Sequence, residues 1–321
     1  MPSNKRPSDI TFWGTLQEML LDFYHTVRRF RLPPMWHYKL TQYALLMRIE
    51  RPIGTLLLLW PTLWALWLAA EGSFPDLKLL VIFSVGVFLT RSAGCVINDF
   101  ADRNLDGKVE RTKKRPLANR LIAEREALLL FVVLGLLAFG LVLLLNTLSI
   151  ILSVIAIAIA TAYPFMKRIT YFPQVVLGAA FSMSIPMAFA ATHNTIPDSA
   201  WLLYIANLLW VLAYDTLYGM VDKQDDLKVG IKSTAILFGE ADLQIIAIIQ
   251  GFFLFGMVMV GFRFELGFWY FLGLTVALGL VIWQLHSCKK REREKCFAAF
   301  LNNNWVGVSI FCGILLAKFQ S

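Results

Sequence analysis

Apolar residues come in nine long runs along this chain, over residues 54–71, 79–98, 126–145, 147–165, 172–191, 199–219, 241–261, 266–286 and 304–319. Most approach the ~20 residues that a helix needs to cross ~30 Å of hydrocarbon. The breaks between several are short and polar: Glu71-Gly72-Ser73, Asn146-Thr147, and His193 to Asp198. The pattern predicts an all-α, polytopic membrane protein with nine transmembrane helices. Ahead of the first run, residues 10–32 set Ile10, Trp13, Leu16, Met19, Leu20 and Phe23 at helical spacing among charged side chains. That spacing predicts an amphipathic helix lying on a surface, ended by Pro33-Pro34. The chain then divides into an N-terminal amphipathic extension, residues 1–40, and a single membrane domain, residues 41–321. The N-terminus has no compact apolar core followed by small residues, so the first run is expected to serve as an uncleaved insertion signal.

Composition agrees with the pattern. Hydrophobic residues make up 58% of the chain and the mean hydropathy is +0.62, too apolar for a soluble globular protein. A net charge of +8 would suggest nucleic acid in a soluble chain. With nine spans, however, 26 of the 30 Lys and Arg fall in the N-terminal tail and after runs two, four, six and eight, all on one side. Lys78, Arg263 and Lys318 take the other side, and Arg91 lies within run two. Such asymmetry marks the basic side as cytoplasmic and accounts for the charge without nucleic acid. Cys95 and Cys312 read as packing residues, and Cys288 and Cys296 as reduced thiols flanking a basic cluster. The four His are scattered, which argues against a histidine-based metal site or triad.

Candidate chemistry concentrates where run two meets the basic side. In a helix, Asn98, Asp102 and Asp106 fall at i, i+4 and i+8 on one face. Like charges so placed need a positive partner. Their oxygens suit Mg²⁺, which binds through one or two carboxylates plus substrate phosphates. A second set, Asp222 and Asp226 with Asp215 two turns earlier and Tyr218 between, ends run six on the same side. Two such sets point to a diphosphate held between metal ions. Arg103, Lys113 and Arg115 follow the first set, and Lys228 and Lys232 the second, as candidate diphosphate clamps. Arg91 lies on the Asn98–Asp102 face two turns deeper, where a charge is costly and usually functional. Arg51, Tyr163, Lys167 and Arg168 mark the basic-side ends of runs one and four.

These residues closely resemble a known family. Asn98-Asp-x-x-Asp102-x-x-x-Asp106 and Asp222-x-x-x-Asp226 look like the two aspartate-rich motifs of the UbiA superfamily of membrane prenyltransferases. Arg51-Pro-Ile-Gly-Thr-Leu-Leu-Leu-Leu-Trp-Pro, Tyr163-Pro-Phe-Met-Lys-Arg168, Tyr214-Asp-Thr-x-Tyr218 and Lys232-Ser-Thr-Ala-Ile-Leu-Phe-Gly239 resemble its bacterial 4-hydroxybenzoate polyprenyltransferase branch. The resemblance covers residues 40–320, and Lys223-Gln224 departs from the Arg-Asp expected inside the second motif. It implies helices around a central cavity open to lipid, Mg²⁺, a polyprenyl diphosphate donor and 4-hydroxybenzoate as acceptor in ubiquinone synthesis. It also implies a bacterial inner membrane location, with the N-terminus and acidic loops cytoplasmic. Carried over by position, Asn98, Asp102, Asp106, Asp222 and Asp226 would hold Mg²⁺ and diphosphate, with Arg168 and Arg103 contacting substrate.

The expected reaction is ionisation of an allylic diphosphate and attack by the ring carbon ortho to the phenol. Tyr163 or Tyr218 is the candidate to face the allylic cation, and Asp215 or Asp222 to accept a hydrogen bond from the phenol. Arg51, Arg91 or Arg168 is the candidate to hold the acceptor carboxylate. Two rival readings are a relative with another acceptor, such as a naphthoate or a haem, and an ion-coupled transporter with its acidic residues near the midplane.

Overall fold

The computed structural model describes residues 34–70, 72, 74–104, 106–108 and 112–320, so the amphipathic stretch 10–32 lies outside the described residues. Every regular element among the described residues is helical. A first helix, α1, runs Pro34–Leu46 and begins at a proline, whose missing N–H costs nothing in a first turn. It straddles the boundary expected at residue 40.

Among the described residues, eight helical segments are long and apolar enough to cross a membrane. They are α3 (Leu77–Asp102), α4 (Glu124–Val142), α5 (Thr147–Ile169), the pair α6 (Pro173–Ser182) and α7 (Ser184–His193), α8 (Asp198–Val229), α10 (Asp242–Arg263), α11 (Phe268–Ser287, extended by a 3₁₀ turn to Lys290) and α12 (Arg293–Gln320). The first predicted run forms α2, Ile53–Ala69, which is apolar but only 17 residues long. At 1.5 Å per residue it rises about 26 Å, just short of the hydrocarbon thickness. The expected count of nine therefore resolves into eight full-length segments and one shorter apolar helix. A short α9, Thr234–Leu237, follows α8.

Run five breaks in two because Pro186 has no N–H to offer the Ser182 carbonyl, and the chain turns at Met183. Asn194, left-handed at φ 56°, ends α7, and Gly230 at φ 74° ends α8.

Helix α8 is the hub, packed against α6, α7, α10 and α12, while α2 packs on α7 and α12. The core between them is aromatic: Trp64, Trp210, Tyr214 and Phe253 are fully buried, with Trp210 stacked on Phe253 at 5.8 Å. Three of its indole N–H groups find acceptors. Trp210 Nε1 donates to Asn303 Oδ1 at 2.9 Å, Trp60 Nε1 to Asn304 Oδ1 at 2.9 Å and Trp64 Nε1 to the Gly307 carbonyl at 3.1 Å. Lipid-facing positions on α4, α5, α10 and α11 expose Leu, Ile, Val and Phe. Cys312 is exposed, not packed as expected, while Cys95, Cys288 and Cys296 are buried free thiols.

The helix ends are pinned at both faces of the bundle. At one face, the His193 ring shares a 2.8 Å hydrogen bond with the Ala69 carbonyl, and Lys318 donates to the Ala70 carbonyl at 3.0 Å. At the other, Lys223 and Arg291 both pair with Asp242, which is fully buried. This second face carries both acidic sets.

Candidate active site

Helix α3 ends at Asp102, so Asn98 and Asp102 share a helical face as expected, but Asp106 does not continue it. Asp106 starts a separate 3₁₀ turn, Asp106–Lys108. It is drawn inward by Arg115, whose Nη1 meets both of its carboxylate oxygens at 2.9 and 2.8 Å. The Thr112 hydroxyl donates to the Asp106 carbonyl at 2.9 Å and closes the loop. Burial pushes the Asp106 carboxyl up to about 6, with Arg115 pulling it down and the Asp99 and Asp102 charges adding to the rise.

Asp215, Tyr218, Asp222 and Asp226 lie on one continuous helix, α8. They line the same cavity as Asn98, Asp102 and Asp106, a space of about 770 Å³. Its size falls in the ordinary range for small-molecule sites. Arg51, Arg91, Arg115, Tyr163, Lys167 and Lys232 line it too. Arg103, Lys113, Arg168 and Lys228 are not part of that lining. Arg103 instead pairs with Glu124 at 3.0 Å and covers the Phe100 ring. Arg168 donates to the Ala101 carbonyl, and Lys228 is exposed beside Asp225 at 3.7 Å. Lys113 is also exposed.

The wall opposite the charges is apolar, from Phe131, Leu136 and Phe139 on α4 and Ala156 and Ile157 on α5. Leu136 is both a lining residue and 66% exposed on the lipid side. The cavity therefore opens sideways toward the bilayer while its charged end faces water.

Three lining or neighbouring residues were not singled out from sequence: Arg48, Asp99 and Thr112. Asp99 is buried and bridges two cations, Arg48 Nη2 at 2.7 Å and Arg115 Nη1 at 3.0 Å. Opposite charges thus alternate along Arg48, Asp99, Arg115 and Asp106. Arg48 sits in a left-handed conformation, φ 57°, which costs an ordinary residue about 1 kcal/mol. The ion pair offsets that. The signal for Asp99 was its carboxylate next to Asn98. No local pattern said that Arg48, on a turn 51 residues earlier, would meet it.

The donor set can be weighed for a divalent cation. Among the described residues, no three His, Cys, Asp or Glu side chains converge on one point. Lys167 pairs with Asp102 through one oxygen, and the other, Oδ1, is buried with no hydrogen-bond partner. An orphan carboxylate oxygen beside a second acidic set on the same cavity fits a hard cation that takes few protein ligands per ion and completes its shell with phosphate and water. An ion path across the bilayer would instead place these residues at mid-helix; here all but Asp215 gather near the ends of α3 and α8.

A model of the UbiA prenyltransferase family matches residues 58–307. The chain belongs to the UbiA prenyltransferase family. Among relatives, it is 57% identical over 280 residues to a 4-hydroxybenzoate octaprenyltransferase of Stutzerimonas stutzeri, covering 87% of this chain and 94% of that one. It is 58% identical over 275 residues to the same enzyme of Alkalilimnicola ehrlichii, covering 86% and 94%. Among solved structures, the UbiA homologue of Aeropyrum pernix aligns with a TM-score of 0.73 at 24% identity, covering 84% of this chain and 98% of that one. A UbiA homologue of Archaeoglobus fulgidus, solved with GPP and Mg²⁺, aligns at 0.65 with 16% identity, covering 87% and 100%. The helical bundle with its cavity is thus the UbiA fold, and this UbiA protein is a multi-pass membrane protein.

Proposed function

We propose that this chain transfers a polyprenyl group from an allylic polyprenyl diphosphate to the ring carbon ortho to the hydroxyl of 4-hydroxybenzoate, a step of ubiquinone synthesis. One observation carries the reaction class: acidic sets from α3 and α8 line a single cavity that has cations at one end and an apolar opening to lipid. The acceptor rests on the relatives' names, at 57% and 58% identity. Those names also support an octaprenyl donor. The bacterial relatives and the basic-side asymmetry support a place in the inner membrane, with the charged mouth toward the cytoplasm.

In this reading residues 41–321 act as one catalytic domain. Asn98, Asp102 and Asp106 on one side, with Asp222 and Asp226 on the other, would hold Mg²⁺. When bound, Mg²⁺ would supply positive charge to offset that of the departing diphosphate. Arg115, Lys167 and Lys232 add charge at the same end; Lys167 and Arg115 already lie on Asp102 and Asp106, so they are in place when phosphate oxygens arrive. Tyr163 and Tyr218 line the same cavity, and one or the other is the aromatic ring to meet the allylic cation. Asp215 or Asp222 accepts the hydrogen bond of the phenol and raises electron density on its ring. The apolar walls hold the isoprenoid tail and keep water from the reacting carbon.

The test is purified protein in detergent, given geranyl diphosphate, 4-hydroxybenzoate and Mg²⁺, with and without EDTA, and read by mass spectrometry. The expected result is a geranylated hydroxybenzoate with Mg²⁺ and none with EDTA. No product in the presence of Mg²⁺, with the chain folded, overturns the reading.

A further inference from the structure

We propose a lipid site on the outside of the bundle: the groove between α11 and α12 holds the headgroup of an anionic phospholipid. It needs no part of the transferase reading above. A second space, of about 470 Å³, is lined from α11 and its 3₁₀ extension by Trp283, His286, Lys289 and Lys290, and from α12 by Lys295 and Ala298. Among the described residues it shares none with the central cavity. It lies on the face that carries both acidic sets, beside the turn where Arg291 reaches Asp242 at 2.9 Å.

The cations of this turn divide into two groups. Arg291 pairs with the buried Asp242 and Arg293 with Asp225 at 3.0 Å, so both serve the bundle. Lys289 and Lys290 are exposed, and no carboxylate among the described residues pairs with either. Lys295 is half exposed and pairs with Glu292, three residues earlier, at 3.0 Å. An exposed pair of that kind is weak and yields to a multivalent anion. Three ammonium groups about one space repel one another, and a phosphate among them relieves that repulsion. A topological excess of basic residues explains cations at a helix end; it does not explain three of them gathered with an imidazole and an indole about one hollow.

Below the lysines the groove turns apolar, which selects a lipid over a soluble anion. Trp283 lies one turn before His286, nearer the midplane, and is 48% exposed; Ile282 beside it is 58% exposed. On α12, Ala298 and Trp305 are seven residues apart and share a face, and Trp305 is exposed as well. Indole rings favour the level of the headgroups, with the ring toward the acyl chains and the N–H toward water. The two helices are tied beneath the groove, where Gln284 Nε2 donates to Asn302 Oδ1 at 3.0 Å. Ammonium groups at the top and an indole-edged apolar seam below match a phosphate headgroup with its acyl chains; a free phosphate would use the upper half alone. Basic pockets between spanning helices recognise acidic headgroups in this way.

The experiment titrates the full chain, purified in neutral detergent, with phosphatidylglycerol, phosphatidylcholine or inorganic phosphate, and counts bound ligand by native mass spectrometry. Wild type is expected to retain one phosphatidylglycerol per chain about tenfold or more tightly than phosphatidylcholine. Lys289→Gln/Lys290→Gln should weaken phosphatidylglycerol by about 30-fold, as the loss of two surface cations predicts. Lys114→Gln/Arg125→Gln removes the same charge from the same face away from the groove, and should leave that affinity within about twofold because distant exposed charges are screened. Ala298→Trp fills the groove at unchanged charge and should displace the lipid too. All these positions are exposed; should one groove variant fail to fold, as read by its melting curve, the other carries the test. Equal retention of phosphatidylcholine by wild type overturns the proposal. So does an equal loss in Lys114→Gln/Arg125→Gln, which would assign the effect to net charge. Inorganic phosphate binding as tightly as phosphatidylglycerol, and lost in Lys289→Gln/Lys290→Gln, would make the groove a site for a soluble anion and overturns the lipid.

Discussion

The residues proposed to carry catalysis are few, and each is proposed to act through charge. Asp102 has one oxygen on Lys167 and one buried without a partner, so its removal takes away both a cation's counter-charge and a vacant acceptor. Asp102→Ala and Asp222→Ala are each expected to lower Mg²⁺-dependent transfer by about 100-fold or more, read as product formed per folded protein. Near-normal turnover in either would contradict the two-sided site. Asp99 makes a different prediction. It is 1% exposed and holds Arg48 and Arg115 together, so Asp99→Asn takes the counter-charge from Arg48 and leaves Arg115 with Asp106 alone. Loss of about 3 kcal/mol of stability is expected, seen as a lower melting temperature in detergent. A melting temperature equal to wild type would mean that solvent already screens the pair. The acidic residues that face the cavity were legible from spacing. The cation each one meets was not, because Arg48, Lys167 and Arg115 approach from distant segments.

At the scale of elements, the helices were legible because their apolar runs match the bilayer's thickness, and the exceptions have local causes. The α6–α7 break follows from Pro186, and the end of α3 at Asp102 from the inward pull of Arg115 on Asp106. Close helix packing was not legible. Helices α11 and α12 meet where Gly273 faces Gly313, and a methyl group on Gly273 would sit 2.5 Å from the Ser309 carbonyl. Gly273→Ala is therefore expected to force the two helices apart and cost about 1–3 kcal/mol. Since this contact lies outside the cavity lining, KM for both substrates should be unchanged in the folded fraction; a thermal melt and a kinetic assay check the two halves of that statement. At the other end, Asp242 is fully buried between Lys223 and Arg291 and ties the C-terminal part of α8 to α10 and the α11–α12 turn. Lys223 lies next to Asp222, so the departure seen in the second motif is a structural tie to Asp242.

For the whole molecule, sidedness follows from charge. The loops between α3 and α4, α8 and α10, and α11 and α12 should all label from the cytoplasm when single cysteines are placed at Lys114, Glu240 and Lys290 in a chain with its own cysteines replaced. A cysteine at Asn194 should label only from the opposite side. Labelling of Lys114 and Asn194 from the same side would overturn the orientation. By itself, the sequence determined that the chain spans the membrane many times, which side gathers the basic residues, and that Asn98 and Asp102, like Asp222 and Asp226, share a helical face. Those properties are local: they depend on the run length, on counts of Lys and Arg, and on helical periodicity. Only the tertiary structure decided that the α3 and α8 acids line one cavity, that Asp106 turns in on a loop, and that Asp99 bridges Arg48 and Arg115. Each of these joins segments far apart in the chain, where no spacing rule applies and only packing fixes who meets whom.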